Sequence, residues 1–137
     1  MPLRFFVMEV FTRFQMGGRF SGARSGSMKV RFHFSSPLLW LFPRWVSGVT
    51  LGCHIFFRRT PSHVHPCTIQ HELIHVCQYA QHGFGGFLWR YLWRERHLPY
   101  RRKSLEEEAF AHQDDPGYRE RRWPDLHLEL PPWRSEE

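Results

Sequence analysis

The chain has 137 residues, of which 42% are hydrophobic and 17% aromatic, and it carries a formal net charge of +6. This length suits a single domain, and the apolar content excludes an intrinsically disordered chain. Three cysteines without a framework spacing argue against a disulfide scaffold, and no apolar run is long enough to predict a membrane-spanning helix. We therefore expect a cytoplasmic protein without a transmembrane segment, with peripheral membrane association as an alternative.

The N-terminal part of the chain is strongly basic. Residues 1–71 contain nine Lys or Arg and a single acid, Glu9. The stretch from Gly17 to Ser27 is rich in Gly, Ser and Arg, which is typical of a linker. We predict a flexible N-terminal segment over residues 1–28. A targeting presequence is the alternative, since such leaders are Arg-rich and poor in acids.

Two stretches predict a small sheet. Apolar and polar residues alternate over residues 29–35, which indicates a half-buried strand. The stretch 46–59 is rich in β-branched and aromatic residues, and Gly48 and Gly52 within it favour a turn or bulge. We expect the two stretches to pair as an antiparallel sheet.

Three helices follow in the chain. Pro66 suits the first turn of a helix that ends near Gly83. A second helix, rich in aromatic residues and Arg, is predicted over about residues 87–96. Its aromatic side chains favour core packing, with contact to a membrane or to nucleic acid as the alternatives. Ser104 is expected to cap a third helix that ends before Pro116.

The first of these helices contains the motif His-Glu-x-x-His at residues 71–75. Residues four apart lie on one face of a helix, so His71 and His75 can both bind one Zn²⁺ at about 2.0–2.1 Å. Glu72 is placed beside the metal rather than on it, where its carboxylate can take a proton from water. The motif predicts a zinc site with Glu72 as the general base.

A catalytic zinc site needs a third protein ligand. Three consecutive glutamates on the third helix are candidates, and they point in different directions. Glu107 is in capping-box register with Ser104, and Glu106 shares its face with the small and apolar residues expected at a helix interface. We predict Glu106 as the third ligand, with Glu108 as the alternative.

A second, structural zinc site is a further candidate. His63, His65 and Cys67 alternate before the first helix, and Cys53 or His54 could complete a ligand set with them. Ligands separated by one residue chelate a tetrahedral ion poorly. The alternative is a polar loop at the mouth of the site.

His71-Glu72-x-x-His75, followed by a helical glutamate, resembles the gluzincin class of zinc metallopeptidases. A longer pattern is similar to small bacterial domains with the motif His-Glu-x-x-His-x-x-Gln … Tyr … Asn-Pro-x-Glu-x-Glu-Ala. The residues that carry it are His71, Glu72, His75, Gln78, Tyr100, Glu106, Glu108 and Ala109. The similarity covers roughly residues 46–112, with Lys103-Ser104 where Asn-Pro is usual. It implies Zn²⁺ on His71, His75 and Glu106, Glu72 as the base, and a zincin-like fold.

These observations together predict an α+β domain over residues 29–115 and an irregular tail over residues 116–137. The domain is expected to be zincin-like, with a small antiparallel sheet packed on the active-site helix and one or two further helices. Its predicted function is a zinc-dependent, metallopeptidase-like hydrolase in which Glu72 activates water against a peptide or protein substrate. The alternative is a catalytically weak zinc-containing binding module, which docks an acidic partner, nucleic acid or an anionic membrane through its basic N-terminal half.

Overall fold

The structure is a computed structural model that describes residues 26–132. Its strands are β1 (Gly26–Lys29), β2 (Arg31–His33), β3 (Gly48–Leu51), β4 (His54–Phe57) and β5 (Leu126–Glu129). Its α-helices are α1 (Pro66–His82), α2 (Phe84–Leu88), α3 (Ser104–His112) and α4 (Tyr118–Arg122). A wide π-helical turn (Trp89–Arg94) continues α2, and short 3-10 turns cover Pro37–Leu41, Pro61–His63 and Tyr100–Arg102. The chain is therefore a mixed α and β protein.

The main sheet has three strands in the order β2-β4-β3, and a separate pair joins β1 to β5 in parallel. β3 runs antiparallel to β4, whereas β2 runs parallel to it. The expected two-stranded antiparallel sheet is wrong in this respect. Residues 46–59 form a hairpin because Gly52, at φ 65°, closes a two-residue turn between β3 and β4. Alternation along a strand predicts its buried face, but not its partner or direction.

Helix α1 lies between the sheet and the later helices, and residues 70–80 are buried without interruption. Leu73 and Val76 pack against the sheet, whereas Ile74 and Cys77 pack against α3 and the C-terminal part of the chain. The helix ends at Gly83, which adopts φ 74°. Its predicted bounds are confirmed, and its central position places His71 and His75 in the core.

The segment predicted as the second helix is more exposed to solvent than expected. Phe87 and Leu88 are buried as expected, but Trp89 and Trp93 in the wide turn are exposed. The cap of α3 also differs, because the Glu95 carboxylate accepts hydrogen bonds from the backbone N and the hydroxyl of Ser104. A carboxylate from another element thus replaces the expected local cap.

The prediction of an irregular tail over residues 116–137 is wrong for the part that forms α4 and β5. Trp123 is buried against Ile74 and Cys77, so tertiary packing orders a segment whose local sequence is mostly charged. At the other end, residues 26–28 of the predicted flexible segment belong to β1. The rest of that segment, residues 1–25, and the last residues, 133–137, lie outside the described part of the chain.

Candidate metal centre

Helices α1 and α3 bring three buried donor groups together. The Nε2 atom of His75 lies 2.7 Å from Oε1 of Glu106 and 3.2 Å from Nε2 of His71. The Nε2 atom of His71 lies 3.1 Å from Oε2 of Glu106. All three side chains are buried, and within residues 26–132 they form the single converging group of His, Cys, Asp or Glu side chains. The structure therefore brings together the three residues that the sequence predicts as ligands.

The second nitrogen of each imidazole contacts an amide oxygen. Nδ1 of His75 lies 2.7 Å from Oε1 of Gln78, and Nδ1 of His71 lies 3.0 Å from Oε1 of Gln113. An amide oxygen can only accept a hydrogen bond, so each Nδ1 donates its proton. In the neutral imidazole the lone pair is then on Nε2, which points into the cluster. This is the arrangement that orients histidine ligands in metal sites.

Electrostatics within the cluster keep Glu106 ionised. Burial opposes the charge of this carboxylate, but His75 and His71 beside it hold its pKa well below the ordinary value. Burial likewise opposes a charge on His75, yet the neighbouring Glu106 raises the pKa of this imidazole to about 9. A negative oxygen donor thus stands next to two nitrogen donors in the protein interior.

Glu72 lies beside the cluster and is positioned by strand β3. The Thr50 hydroxyl donates a hydrogen bond of 2.5 Å to Oε2 of Glu72. Gly48 approaches the same side chain so closely that a Cβ atom there would lie 3.2 Å from Oε1 of Glu72. One carboxylate oxygen is held by Thr50, and the other is free of hydrogen bonds to the described residues. The sequence reasoning missed Thr50, because no spacing rule joins a strand residue to a helix residue.

Glu108, the alternative third ligand, lies outside the converging group. Its Oε1 accepts a 2.8 Å hydrogen bond from Nε2 of Gln78, and its Oε2 accepts one of 2.6 Å from the Tyr118 hydroxyl. Arg122 also donates to Oε2 of Glu108, at 3.2 Å. Because Gln78 in turn contacts His75, Glu108 acts on the cluster through an intermediate amide rather than through its own oxygen atoms.

The candidate second zinc site does not form among the described residues. His65 instead caps α1, since its Nδ1 accepts a hydrogen bond from the backbone N of Cys67. The Cys67 thiol donates to Asp114 at 2.7 Å, and His63 bonds to Thr60 at 2.8 Å. Local hydrogen bonds satisfy these side chains separately, so the polar-loop interpretation describes them better.

Two cavities meet at the cluster. The first, of about 360 Å³, is predominantly apolar and reaches His75 and Glu106. The second, of about 550 Å³, reaches His71 and also contains polar and basic side chains. Both cavities are lined by Trp45, Val46, Gly48, Glu72 and Tyr100. The site is therefore open to a ligand on two sides of Glu72.

Comparisons with known proteins give no match. No protein-family model matches the chain. No match was found among curated proteins or among solved structures either.

The donor set fits a zinc ion. Two imidazoles and one carboxylate are the ligands of many catalytic zinc sites. A tetrahedral ion with bonds of about 2.0–2.1 Å separates its ligand atoms by roughly 3.3 Å. The observed separations of 2.7, 3.1 and 3.2 Å are about 0.6, 0.2 and 0.1 Å shorter, so the His75 and Glu106 side chains would have to move apart to admit the ion. His71, His75 and Glu106 could thus hold a metal ion.

Proposed function

We propose that the protein is a zinc-dependent, metallopeptidase-like hydrolase with a zincin-like arrangement of its helix and sheet. His71, His75 and Glu106 would hold the zinc, and Glu72 would act as the general base. The observation that carries the proposal is the position of Glu72, beside the three converging donors and at the junction of two cavities. A purely structural metal site has no need of a carboxylate that lines two cavities beside the ligands.

Zinc in such a site acts as a Lewis acid and makes water reactive near neutral pH. The role of Glu72 is to accept a proton from the attacking water at Oε1. Thr50 bonds to the other oxygen of this carboxylate, so the side chain is held in one orientation. Because the position of the base is fixed before substrate binds, little reorganisation is needed during the reaction.

Tyr100 is suited to donate a hydrogen bond to the substrate. Its ring lines both cavities, and its hydroxyl bonds to Glu106. Burial, followed by the charges of Glu106 and Glu72, raises the pKa of Tyr100 well above its ordinary value. The phenol therefore keeps its proton at neutral pH. When the hydroxyl turns from Glu106 into the cavity, its proton can stabilise negative charge that develops on a carbonyl oxygen at this junction.

Strand β3 favours an extended peptide as substrate. It is an edge strand of the main sheet, and all four of its residues line the apolar cavity. An edge strand offers backbone hydrogen-bonding groups to which an extended chain can add. A peptide bound there would pass close to Glu72, which approaches Gly48 at the start of β3.

Metal analysis combined with a hydrolysis assay tests this proposal. The purified full chain is expected to hold about one zinc per molecule and to cleave a fluorogenic peptide library. His75→Ala should lose the metal and the activity together. Glu72→Gln should keep the metal and lose hydrolysis. Failure of the wild-type chain to bind zinc, even after zinc is added, would refute the proposal.

Glu106 and Glu108 are distinguished by separate changes to Gln. Glu106→Gln is expected to lose zinc, because an anionic donor is replaced by a weakly coordinating amide. Glu108→Gln should retain zinc, since Glu108 contacts Gln78, Tyr118 and Arg122 instead of the cluster. Zinc affinity measured by competition with a chelator is the readout. Equal effects of the two changes would contradict the assignment.

A further inference from the structure

Exposed apolar side chains are concentrated in two short segments. Among the described residues, seven large hydrophobic side chains are exposed, and six of them lie in residues 40–45 and 89–93. We call these six the aromatic rim: Trp40, Leu41, Trp45, Trp89, Leu92 and Trp93. The four tryptophans are 82%, 64%, 61% and 52% exposed in chain order. Such clustering differs from the single scattered apolar residues of an ordinary surface.

Both segments contribute side chains to the wall of one cavity. Leu41 and Trp45 from the first segment and Leu92 from the second all line the apolar cavity that reaches His75. Trp45 also contacts Tyr100, with ring centroids 5.0 Å apart, and Trp89 and Trp93 are neighbours at 5.9 Å. The aromatic rim is therefore associated with the opening of the candidate site.

The charges around the rim are almost all positive. Residues 38–47 and 84–103 contain seven basic side chains and one acid, Glu95. That acid is occupied by its hydrogen bonds to Ser104. Arg44, Arg94 and Arg102 are exposed close to the rim in sequence. A partner of matching chemistry must be apolar in part and negatively charged in part.

We propose that the aromatic rim docks on an anionic lipid bilayer, so that the apolar cavity opens toward the membrane. Tryptophan is enriched at membrane interfaces because its ring is apolar and its N–H is polar. Arginines attract anionic headgroups while the aromatic rings enter the boundary of the acyl chains. The docking is peripheral, since no helix of residues 26–132 is long and apolar enough to cross a membrane.

The prominence of tryptophans over basic side chains favours a lipid surface over nucleic acid or an acidic protein. Nucleic acid binds mainly through basic side chains, with aromatic rings stacked on bases inside grooves. Here the four most prominent groups are tryptophans and the cations lie around them. A bilayer fits this arrangement because aromatic rings can insert into its apolar region while basic side chains bind its anionic headgroups.

Vesicle flotation with the full chain tests the proposal. The protein is expected to float with vesicles of phosphatidylcholine and phosphatidylglycerol, and to remain unbound with phosphatidylcholine alone. Lipids brominated along the acyl chain should quench part of its tryptophan fluorescence. Absence of flotation on the anionic vesicles, or flotation without quenching, would overturn the proposal.

Tryptophan variants test the apolar part. Trp40→Ser combined with Trp93→Ser should lower the partition onto anionic vesicles by about tenfold or more, because interfacial affinity scales with buried apolar area. Leu130→Ser is the control, since Leu130 is the one exposed large apolar residue outside the rim within residues 26–132. Far-UV circular dichroism verifies that each variant folds. Equal partition of the Trp variant and the wild type would refute insertion of the rim.

Charge reversal tests the electrostatic part. Arg44→Glu combined with Arg94→Glu should weaken binding at least tenfold, since each basic residue near the surface contributes about a fivefold factor. Arg31→Glu combined with Arg59→Glu changes the net charge equally at exposed positions away from the rim. An equal loss in both double variants would contradict a defined docking surface.

Membrane docking and hydrolysis are separable in this design. Glu72→Gln removes the proposed base but leaves the rim intact, so it should float as the wild type does. Competition with RNA or poly-glutamate tests whether the rim binds nucleic acid or an acidic protein instead. Displacement from vesicles by either polymer in stoichiometric amounts would overturn the lipid assignment, whereas persistence of vesicle binding supports it.

Discussion

Two side-chain amides, that of buried Gln78 and that of half-buried Gln113, accept hydrogen bonds from the candidate histidine ligands and orient their rings. Gln78 bonds to His75 and also to the Leu105 carbonyl and to Glu108, so its removal would disturb several contacts. Gln113 has a simpler role, because its side-chain oxygen bonds to Nδ1 of His71. Gln113 therefore offers the cleaner test of whether an amide acceptor tunes the metal site.

Gln113→Ala is expected to lower zinc affinity by about 10- to 100-fold, because His71 loses the acceptor that orients its ring. Gln113→Glu should retain affinity, since a carboxylate accepts the same hydrogen bond. Competition with a chromophoric chelator measures both. Gln81→Ala is the control, because Gln81 bonds to Trp123 away from the cluster. An unchanged affinity of the Gln113→Ala variant would mean that His71 is oriented without its acceptor.

Thr50→Val is expected to lower the hydrolytic rate by about tenfold while zinc content stays the same. The change removes the hydroxyl that bonds to Glu72 and keeps the shape of the side chain. Thr50→Ser, which restores the hydroxyl, should recover most of the rate. Steady-state kinetics on one peptide provides the measurement. A rate unaffected in Thr50→Val would show that Glu72 needs no such support.

The sequence predicts individual site residues where their positions within one helix identify them. His71, Glu72 and His75 follow from helical spacing, and Glu106 follows from the apolar face of its helix. Thr50 and Gln113 contact the motif from other elements, at sequence separations that no periodicity predicts. Gln78 can be identified from the sequence because it lies three residues after His75 on the same helix.

At the level of elements, the parallel pairing of β2 with β4 places two histidines side by side. Nε2 of His33 lies 3.1 Å from Nδ1 of His54, and their rings stack. Burial, followed by the charge of Arg31, lowers the pKa of His33 from 6.5. Burial, followed by the charges of His33 and Arg31, lowers the pKa of His54 from the same value.

Because of this pair, the free energy of unfolding is expected to decrease as the pH decreases below 6.5. Both pKa values are lower in the folded state, so the unfolded chain binds more protons in that range. The stabilisation is complete above pH 6.5 and is lost as the pH falls through the folded pKa values. Urea unfolding at several pH values measures the slope. His33→Gln combined with His54→Gln should flatten the slope relative to the wild type; an unchanged slope would contradict the assignment.

Prediction of the elements succeeded where local signals were strong. α1 begins at a proline and ends at a glycine, and both signals act within the helix itself. The direction of β2 and the order at residues 118–129 depend on contacts distant in sequence. Such contacts are decided by tertiary packing, which overrides weak local preferences.

At the scale of the whole molecule, the C-terminal segment covers the helix that carries the motif. Trp123 is buried against Ile74, Cys77 and Ala109, and its indole N–H donates to Gln81 at 2.9 Å. Strand β5 then joins β1 beside the main sheet. The helix that carries the motif is thus packed against residues from both ends of the described chain.

Trp123→Ala is expected to lower the free energy of unfolding by about 3–5 kcal/mol, because it opens a large cavity behind α1. Trp89→Ala, at an exposed position, should change the same quantity by about 0.5 kcal/mol or less. Urea unfolding followed by circular dichroism compares the two. Similar values for both variants would contradict the packing of Trp123 in the core.

Residues 70–80 are buried without interruption, which should suppress local opening in the middle of α1. A helix with no solvent-facing side cannot fray in its middle without separating the sheet from α3. Backbone amides in this stretch should therefore exchange with deuterium only through global unfolding, whereas those of the wide turn at residues 89–94 exchange through local opening. The proposed ligands on α1 would then remain fixed for the lifetime of the native state, while the surroundings of the cavity adapt to what enters it.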